Sequence, residues 1–260
     1  MTIREPAVAG MFYPAAAKQL RDQVTTFLRS ATSTADFAPK VLIVPHAGYV
    51  YSAPVAAAAF RLLAKARDGI TRVVLLGPAH RVYLEGMALP SVDGFATPLG
   101  TVTIDTDVAA TIRNMPGVCV SDAAHRDEHS LEVQLPFLQC ALNEFTLLPI
   151  VVGRCPPEQV GAVIDEVWGG PETLLVVSTD LSHYLAYDDA QKVDAATRLR
   201  IVDKATNLDG REACGAHAVN GLMSAHHCRN MRVDGIDLRN SGDTAGMKDR
   251  VVGYGAFVMH

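Results

Sequence analysis

The chain has 260 residues, 49% of them hydrophobic and 20% charged. That is ample apolar material for a core, so disorder is excluded for the chain as a whole. With 23 basic and 28 acidic side chains the net charge is −5, and the isoelectric point near 6.0 argues against a nucleic-acid binder, which carries a basic face.

Short β-branched or Leu-rich runs alternate with longer segments of helical period. Val41–Val44 reads as a buried strand, followed by an Ala-rich helix around Ala53–Ala66 and a second strand at Arg72–Leu76. Between Gly86 and Ile104, Pro90, Gly94, Pro98 and Gly100 break the chain into short extended pieces, the pattern of an antiparallel excursion. Helices are expected around Asp105–Asn114 and Ser130–Leu142, the second kinked by Pro136. Phe145–Val152 is a strand, Pro157–Val167 a helix and Thr173–Ser178 a strand. Asp188–Asn207 and Cys214–Cys228 read as helices, and Met231–Leu238 and Val251–Met259 as extended. Strands alternating with helices, short linkers and no internal repeat predict one α/β domain, 1–260, with a mostly parallel central sheet.

The N-terminus lacks a basic segment followed by an apolar one, and the apolar runs are far short of the roughly 20 residues that span a bilayer. Five cysteines without a C-x-x-C pair speak against a disulfide framework or a Cys₄ zinc site. The expectation is a cytoplasmic protein with no membrane partner.

Nine histidines stand out, and three follow strands: His46 after Val41–Val44, His80 after Arg72–Leu76, and His183, with Asp180, after Thr173–Ser178. Ligand sites in open α/β sheets form outside the carboxyl ends of strands, and chance would put about 0.5 His in the roughly 15 positions concerned. Two neutral imidazoles and an anionic ligand suit a divalent transition metal with open positions. A carboxylate as the anion would match the facial triad of non-haem Fe(II) oxygenases, whereas a thiolate favours Cu(I) or Zn. His183 beside Asp180 suits proton shuttling. Further pocket candidates are Tyr49, Glu128, His129 and His217. In His125-Arg126-Asp127-Glu128-His129-Ser130-Leu131-Glu132 the two histidines and the two glutamates are each four apart, so each pair would share a face if the segment is helical throughout. Alternatively, these acidic residues simply favour a helix N-terminus. Cys214 starts a predicted helix, where a thiolate is favoured, although a free cysteine is more commonly buried and inert. Phosphate-loop, dinucleotide and nucleophile-elbow motifs are absent.

Pro45-His46-Ala47-Gly48-Tyr49, Gly77-Pro78-Ala79-His80, Asp127-Glu128-His129-Ser130-Leu131-Glu132, Ser178-Thr179-Asp180-Leu181-Ser182-His183 and Cys214-Gly215-Ala216-His217 together resemble the Memo family. The similarity runs from Ala9-Gly10-Met11-Phe12-Tyr13-Pro14 to Tyr254-Gly255-Ala256. The resemblance implies the three-layer α/β/α fold of the LigB-like class III extradiol dioxygenases, which cleave catechol rings with Fe(II). It implies that His46, His80 and Cys214 hold the metal, that His183 is the acid/base, and that Asp180 lines the same pocket. Cys214 stands where the dioxygenases place a glutamate ligand, a departure that sets metal binding above ring cleavage. Fe(II) is the first expectation, with copper or zinc as alternatives, in a redox enzyme acting on a small-molecule or peptide substrate. Prokaryotic members are called system protein B of the AmmeMemoRadiSam set, which implies radical-SAM and AMMECR1-like partners. Two other readings are a metal- or peptide-binding module without turnover, and a zinc-dependent hydrolase with Glu128 or Glu132 as base.

Overall fold

The computed structural model describes residues 1–32 and 37–260. In chain order its strands and helices are β1 (Ile3–Arg4), α1 (Ala17–Ser30), β2 (Val41–Val44), α2 (Tyr49–Phe60), β3 (Arg72–Pro78), β4 (Met87–Leu89), β5 (Gly94–Thr97), β6 (Gly100–Thr103), α3 (Thr106–Ile112), β7 (Val118–Val120), α4 (Asp122–Arg126), α5 (Leu135–Ala141), β8 (Thr146–Val152), α6 (Pro157–Glu166), β9 (Thr173–Ser178), β10 (His183–Leu185), α7 (Tyr187–Val202), α8 (Ala216–Ser224), β11 (Val233–Asn240) and β12 (Val251–Met259).

Four parallel strands, in the order β2-β9-β3-β8, form the centre of a large sheet. Antiparallel pairing flanks them on both sides, through β12 next to β2 and β4 next to β8. The central strands are apolar along almost their whole length, the mark of a sheet covered on both faces. Side chains alternate across it. Leu42, Val44, Val73, Leu75, Leu174 and Val176 join α1, α2 and α5 in one core. Val41, Ile43, Val74, Leu76, Leu175 and Val177 join α6 and α8 in the other. The result is a three-layer α/β/α sandwich, with about 1.5–3 kcal/mol gained for each large aliphatic side chain buried.

Connections decide where a crevice opens. The chain crosses from β2 to β3 by way of α2, on one face, and from β8 to β9 by way of α6, on the other. Oppositely placed crossovers leave a gap above the carboxyl ends of the parallel strands. β12 adds to the arrangement, because it pairs with β2 through Phe257–Met259 and with β10 through Val251–Val252. β10 therefore continues the line of β2 beyond its carboxyl end and carries His183 to the neighbourhood of His46.

Several local expectations differ from the structure. Pro136 does not kink a helix; it sits in the first turn of α5, where a missing N–H has no intrahelical partner to lose. α2 begins at Tyr49, earlier than the Ala-rich stretch, and α8 covers only Ala216–Ser224. α7 stops at Val202 rather than Asn207, just before Lys204 turns left-handed with φ 58°. The 125–132 segment is not helical throughout, since α4 ends at Arg126 and a 3-10 turn begins at Glu132. Its paired histidines and glutamates accordingly point in different directions.

Candidate metal centre

His46, His80 and His129 offer ring nitrogens that all lie within 4.8 Å of one another. Ring centroids are 5.1 Å apart for His46–His80, 5.5 Å for His46–His129 and 4.7 Å for His80–His129. The first two come from the ends of β2 and β3. The third comes from the turn between α4 and α5, which sequence spacing treated as a lesser candidate.

Each strand-end histidine is held through both backbone and ring. His46 donates its backbone N–H to Asp180 Oδ1 at 2.7 Å, and His80 donates its own to Glu128 Oε2 at 2.5 Å. Ser178 Oγ gives its one proton to the Ser130 carbonyl at 2.6 Å, so it must accept from His46 Nδ1, 2.8 Å away. Gln134 Nε2 supplies a second donor to the same hydroxyl at 2.9 Å. His80 Nδ1 lies 3.0 Å from Glu128 Oε1 and is the donor to that carboxylate. Both rings thus carry their proton on Nδ1, leaving the Nε2 lone pair unclaimed by protein donors other than a thiol. A carboxylate or hydroxyl behind an imidazole is the arrangement that orients metal-binding histidines. His129 Nδ1 is buried and has no hydrogen-bond partner; Glu128 Oε1, at 3.3 Å, is outside bonding geometry.

Close approach of the loops depends on small residues. A Cβ on Gly77 would sit 2.8 Å from Ser130 Oγ, and one on Gly215 would sit 2.7 Å from the Thr179 Cβ. Both contacts are too short for any side chain. Glycine at these positions lets the 129–131 turn press onto β3 and the start of α8 press onto β9.

Burial, reinforced by mutual repulsion with His80, His129 and His183, holds His46 well below the usual imidazole range. Burial likewise brings His129 to about 4 and lowers His183. These three imidazoles are neutral at pH 7, the ligating form. Burial would raise the Glu128 carboxyl, but hydrogen bonds and charge from His80 and its backbone donors hold it at about 2. Asp180 is pushed up to about 7 by burial, against the donation from His46.

Cys214 Sγ lies 3.3 Å from His46 Nε2 and accepts from the Asp180 N–H at 3.2 Å. Burial and the Asp180 charge lift the thiol to about 12, so it is protonated and donates to the His46 lone pair. It touches His46 without belonging to the mutually close trio. His183 donates Nδ1–H to the Leu181 carbonyl at 2.8 Å, which leaves its Nε2 as an acceptor. The next residue, Tyr184, is exposed and left-handed with φ 61°, a strained conformation for a bulky side chain beside a site.

Two candidates fall outside the cluster. Tyr49 is 3% exposed and donates its hydroxyl to the Val133 carbonyl at 2.7 Å, in the core with Phe137. His217 is exposed and turns its ring to the Cys155 carbonyl, 3.1 Å away. Glu132 is no available base. Its fully buried carboxylate accepts from Arg4 Nη1 (2.7 Å), Ala7 N (2.7 Å), Val8 N (3.0 Å) and the Tyr13 hydroxyl (2.6 Å). Gln134 and Arg4 lie outside every motif, and Ser178 lies inside one without its bond to His46 being foreseeable, because serine, glutamine and arginine have no spacing rule that ties them to a histidine elsewhere in the chain.

Comparison with known proteins follows the same lines. A family described as Memo-like protein matches residues 4–258. The chain belongs to the Memo family. A MEMO1 family protein from Aquifex aeolicus is 36% identical over 266 residues, covering 98% of both chains. Another, from Methanopyrus kandleri, is 34% identical over 278 residues, again covering 98% of both. Among solved structures, an uncharacterized protein from Escherichia coli K12 aligns with a TM-score of 0.51 at 11% identity, covering 83% of this chain and 98% of that one. That is a likeness of fold alone, in keeping with the α/β/α sandwich described above. No helix among the described residues is long and apolar enough to cross a membrane.

Proposed function

We propose that this Memo-family chain binds a divalent transition metal at the strand carboxyl ends and uses it in redox chemistry. The observation that carries the reading is the trio His46, His80 and His129. Their nitrogens converge, two have tautomers fixed with the lone pair on Nε2, met at His46 only by the Cys214 thiol, and the third has a buried nitrogen with no partner. An unsatisfied buried nitrogen is costly in a protein with no ligand to offset it, and neutral imidazoles suit iron, copper or zinc. When bound, the metal supplies Lewis-acid or one-electron chemistry.

The chain's own residues do the rest. Ser178 and Glu128 orient His46 and His80. Cys214, within reach of His46, is the anionic ligand that joins when a cation displaces its proton. His183, with Nε2 available, accepts a proton from a small-molecule or peptide substrate, and Asp180 anchors the His46 backbone beside it. Fe(II) is the first candidate by the resemblance to the extradiol dioxygenases; the three-imidazole set itself suits zinc and copper as well, and thiolate entry shifts preference further toward those two.

The test is elemental analysis of protein purified without chelators and reconstituted anaerobically. One metal equivalent is expected, lost in His46→Ala. Absence of any bound metal in the wild type sinks the proposal.

A further inference from the structure

We infer that Arg4, on the first strand of the chain, is a positioning residue for the metal centre, acting through the turn that carries Glu128 and His129. This inference rests on the metal reading above. Arg4 touches no histidine ring of the trio. Its guanidinium instead ties three points of one turn: Nε donates to the His125 carbonyl at 2.6 Å, Nη2 to the Glu128 carbonyl at 2.6 Å, and Nη1 to the Glu132 carboxylate at 2.7 Å. The side chain is 5% exposed and its carbon lies 5.0 Å from the centre of the Phe95 ring. A planar fork can satisfy three acceptors in a fixed plane; an ammonium cannot.

The segment that follows closes the clamp. The backbone N–H groups of Ala7 and Val8 and the Tyr13 hydroxyl also donate to Glu132, and the Phe12 ring stands 4.8 Å from the His129 ring. On the far side of the turn, Glu128 receives the His80 ring and backbone and the backbone N–H groups of His129 and Ser130. Arg4 thus fixes the carbonyl of the residue whose carboxylate orients His80 and whose neighbour supplies His129. Two of the three nitrogens depend on it directly, whereas His46 is held by Asp180 and reaches the turn only through Ser178 and the Ser130 carbonyl.

Cobalt(II), added anaerobically to the full chain, is the probe, because its visible absorption reports the number and kind of ligands. Arg4→Met keeps an unbranched apolar stem without charge or donors, and Arg4→Lys keeps charge without the fork. The cobalt Kd is expected to rise about 10- to 100-fold in Arg4→Met, as for loss of other groups that orient metal ligands, and less in Arg4→Lys. In both the spectrum shifts toward fewer nitrogen ligands. Val163→Ala, in the core on α6, lowers thermal stability while leaving affinity and spectrum unchanged, which separates positioning from general loosening. Tyr13→Phe removes one donor from Glu132 and gives a smaller shift in the same direction if Arg4→Met fails to fold. Unchanged affinity and spectrum in the folded Arg4→Lys and Tyr13→Phe chains overturn the inference. If the wild type binds no cobalt, the metal reading alone falls. The clamp is then judged by side-chain ¹⁵N shifts: a His80 Nδ1 proton retained in the Arg4 variants overturns it, and its loss supports it.

Discussion

The turn between α4 and α5 has two sides, and they treat buried polar groups in opposite ways. On one side Glu132 is saturated, with four donors on two oxygens and Arg4 as its counter-charge. On the other, three residues away, His129 keeps a buried nitrogen with no partner among rings that repel one another's protons. A saturated network fixes geometry and leaves no valence for a ligand. An under-satisfied one costs stability that only an incoming group can return. An orphaned atom marks a site only where other ligating groups converge on it: His125 Nδ1, on the Arg4 side, also lacks a partner but has, among the described residues, no second imidazole nitrogen gathered around it.

The largest expected effect comes from breaking the saturated side. Glu132→Ala leaves the Arg4 charge buried and unpaired, and should cost about 3–5 kcal/mol, read as a fall in the denaturant midpoint at constant slope. If the loss is below about 1 kcal/mol, the clamp is not the scaffold described. Next is the open side. Saturating metal should raise stability by about 2.7 kcal/mol at a free concentration a hundredfold above Kd, seen as an upward shift in Tm, and His46→Ala should abolish that shift. A wild-type Tm indifferent to Fe(II), Cu and Zn would mean that the open nitrogens serve no ion.

A finer comparison lies within the site. His129→Ala should weaken metal binding more than Cys214→Ala, because His129 belongs to the mutually close trio and Cys214 meets only His46. The reverse order in a metal titration would restore the His₂Cys set implied by resemblance. The smallest effect concerns a partly buried pair that calibrates the fully buried one. Asp105 caps α3 through the Val108 N–H and accepts from Arg72 at 2.9 Å and Thr146 at 2.9 Å. Burial alone would raise its carboxyl, but these donors together hold it below the usual range. A depressed carboxylate contributes stability that is present above its unfolded value of about 3.9 and is lost as pH falls through the folded value. Asn keeps the cap but loses the ion pair with Arg72, so Asp105→Asn should cost about 0.2–1 kcal/mol at pH 7, and its difference from wild type should shrink below about pH 4. A difference constant from pH 7 to pH 3 would show that the charge plays no part.

Much of this architecture was legible in the residues alone. β-Branched runs located β2, β3, β8 and β9, and histidines placed after them located the strand-end side of the site, because both signals are local. Helix α1 was not anticipated, although Leu20 and Val24 stand at helical spacing and are fully buried; polar residues around them dilute the signal. Membership of His129 in the trio was likewise out of reach. It follows from where the 125–132 segment stops being helical, and the groups that hold this stretch include Arg4, 121 to 128 positions away. The tautomers of His46 and His80 were hidden for the same reason, since they depend on which groups of distant loops already have their protons committed.

β12 has a consequence for how the protein is made. One edge of this strand carries β2 at one end and β10 at the other, so it aligns His46 with His183. Ribosomes deliver those two histidines long before residues 251–259. Until the late strand emerges, β2 presents an unpaired, apolar edge, the kind of surface that nascent chains bury against chaperones or against each other. On the metal reading proposed above, the pocket is complete only once Val251–Met259 has paired with both β2 and β10, so ion binding is expected to follow synthesis of β12 and not to precede it.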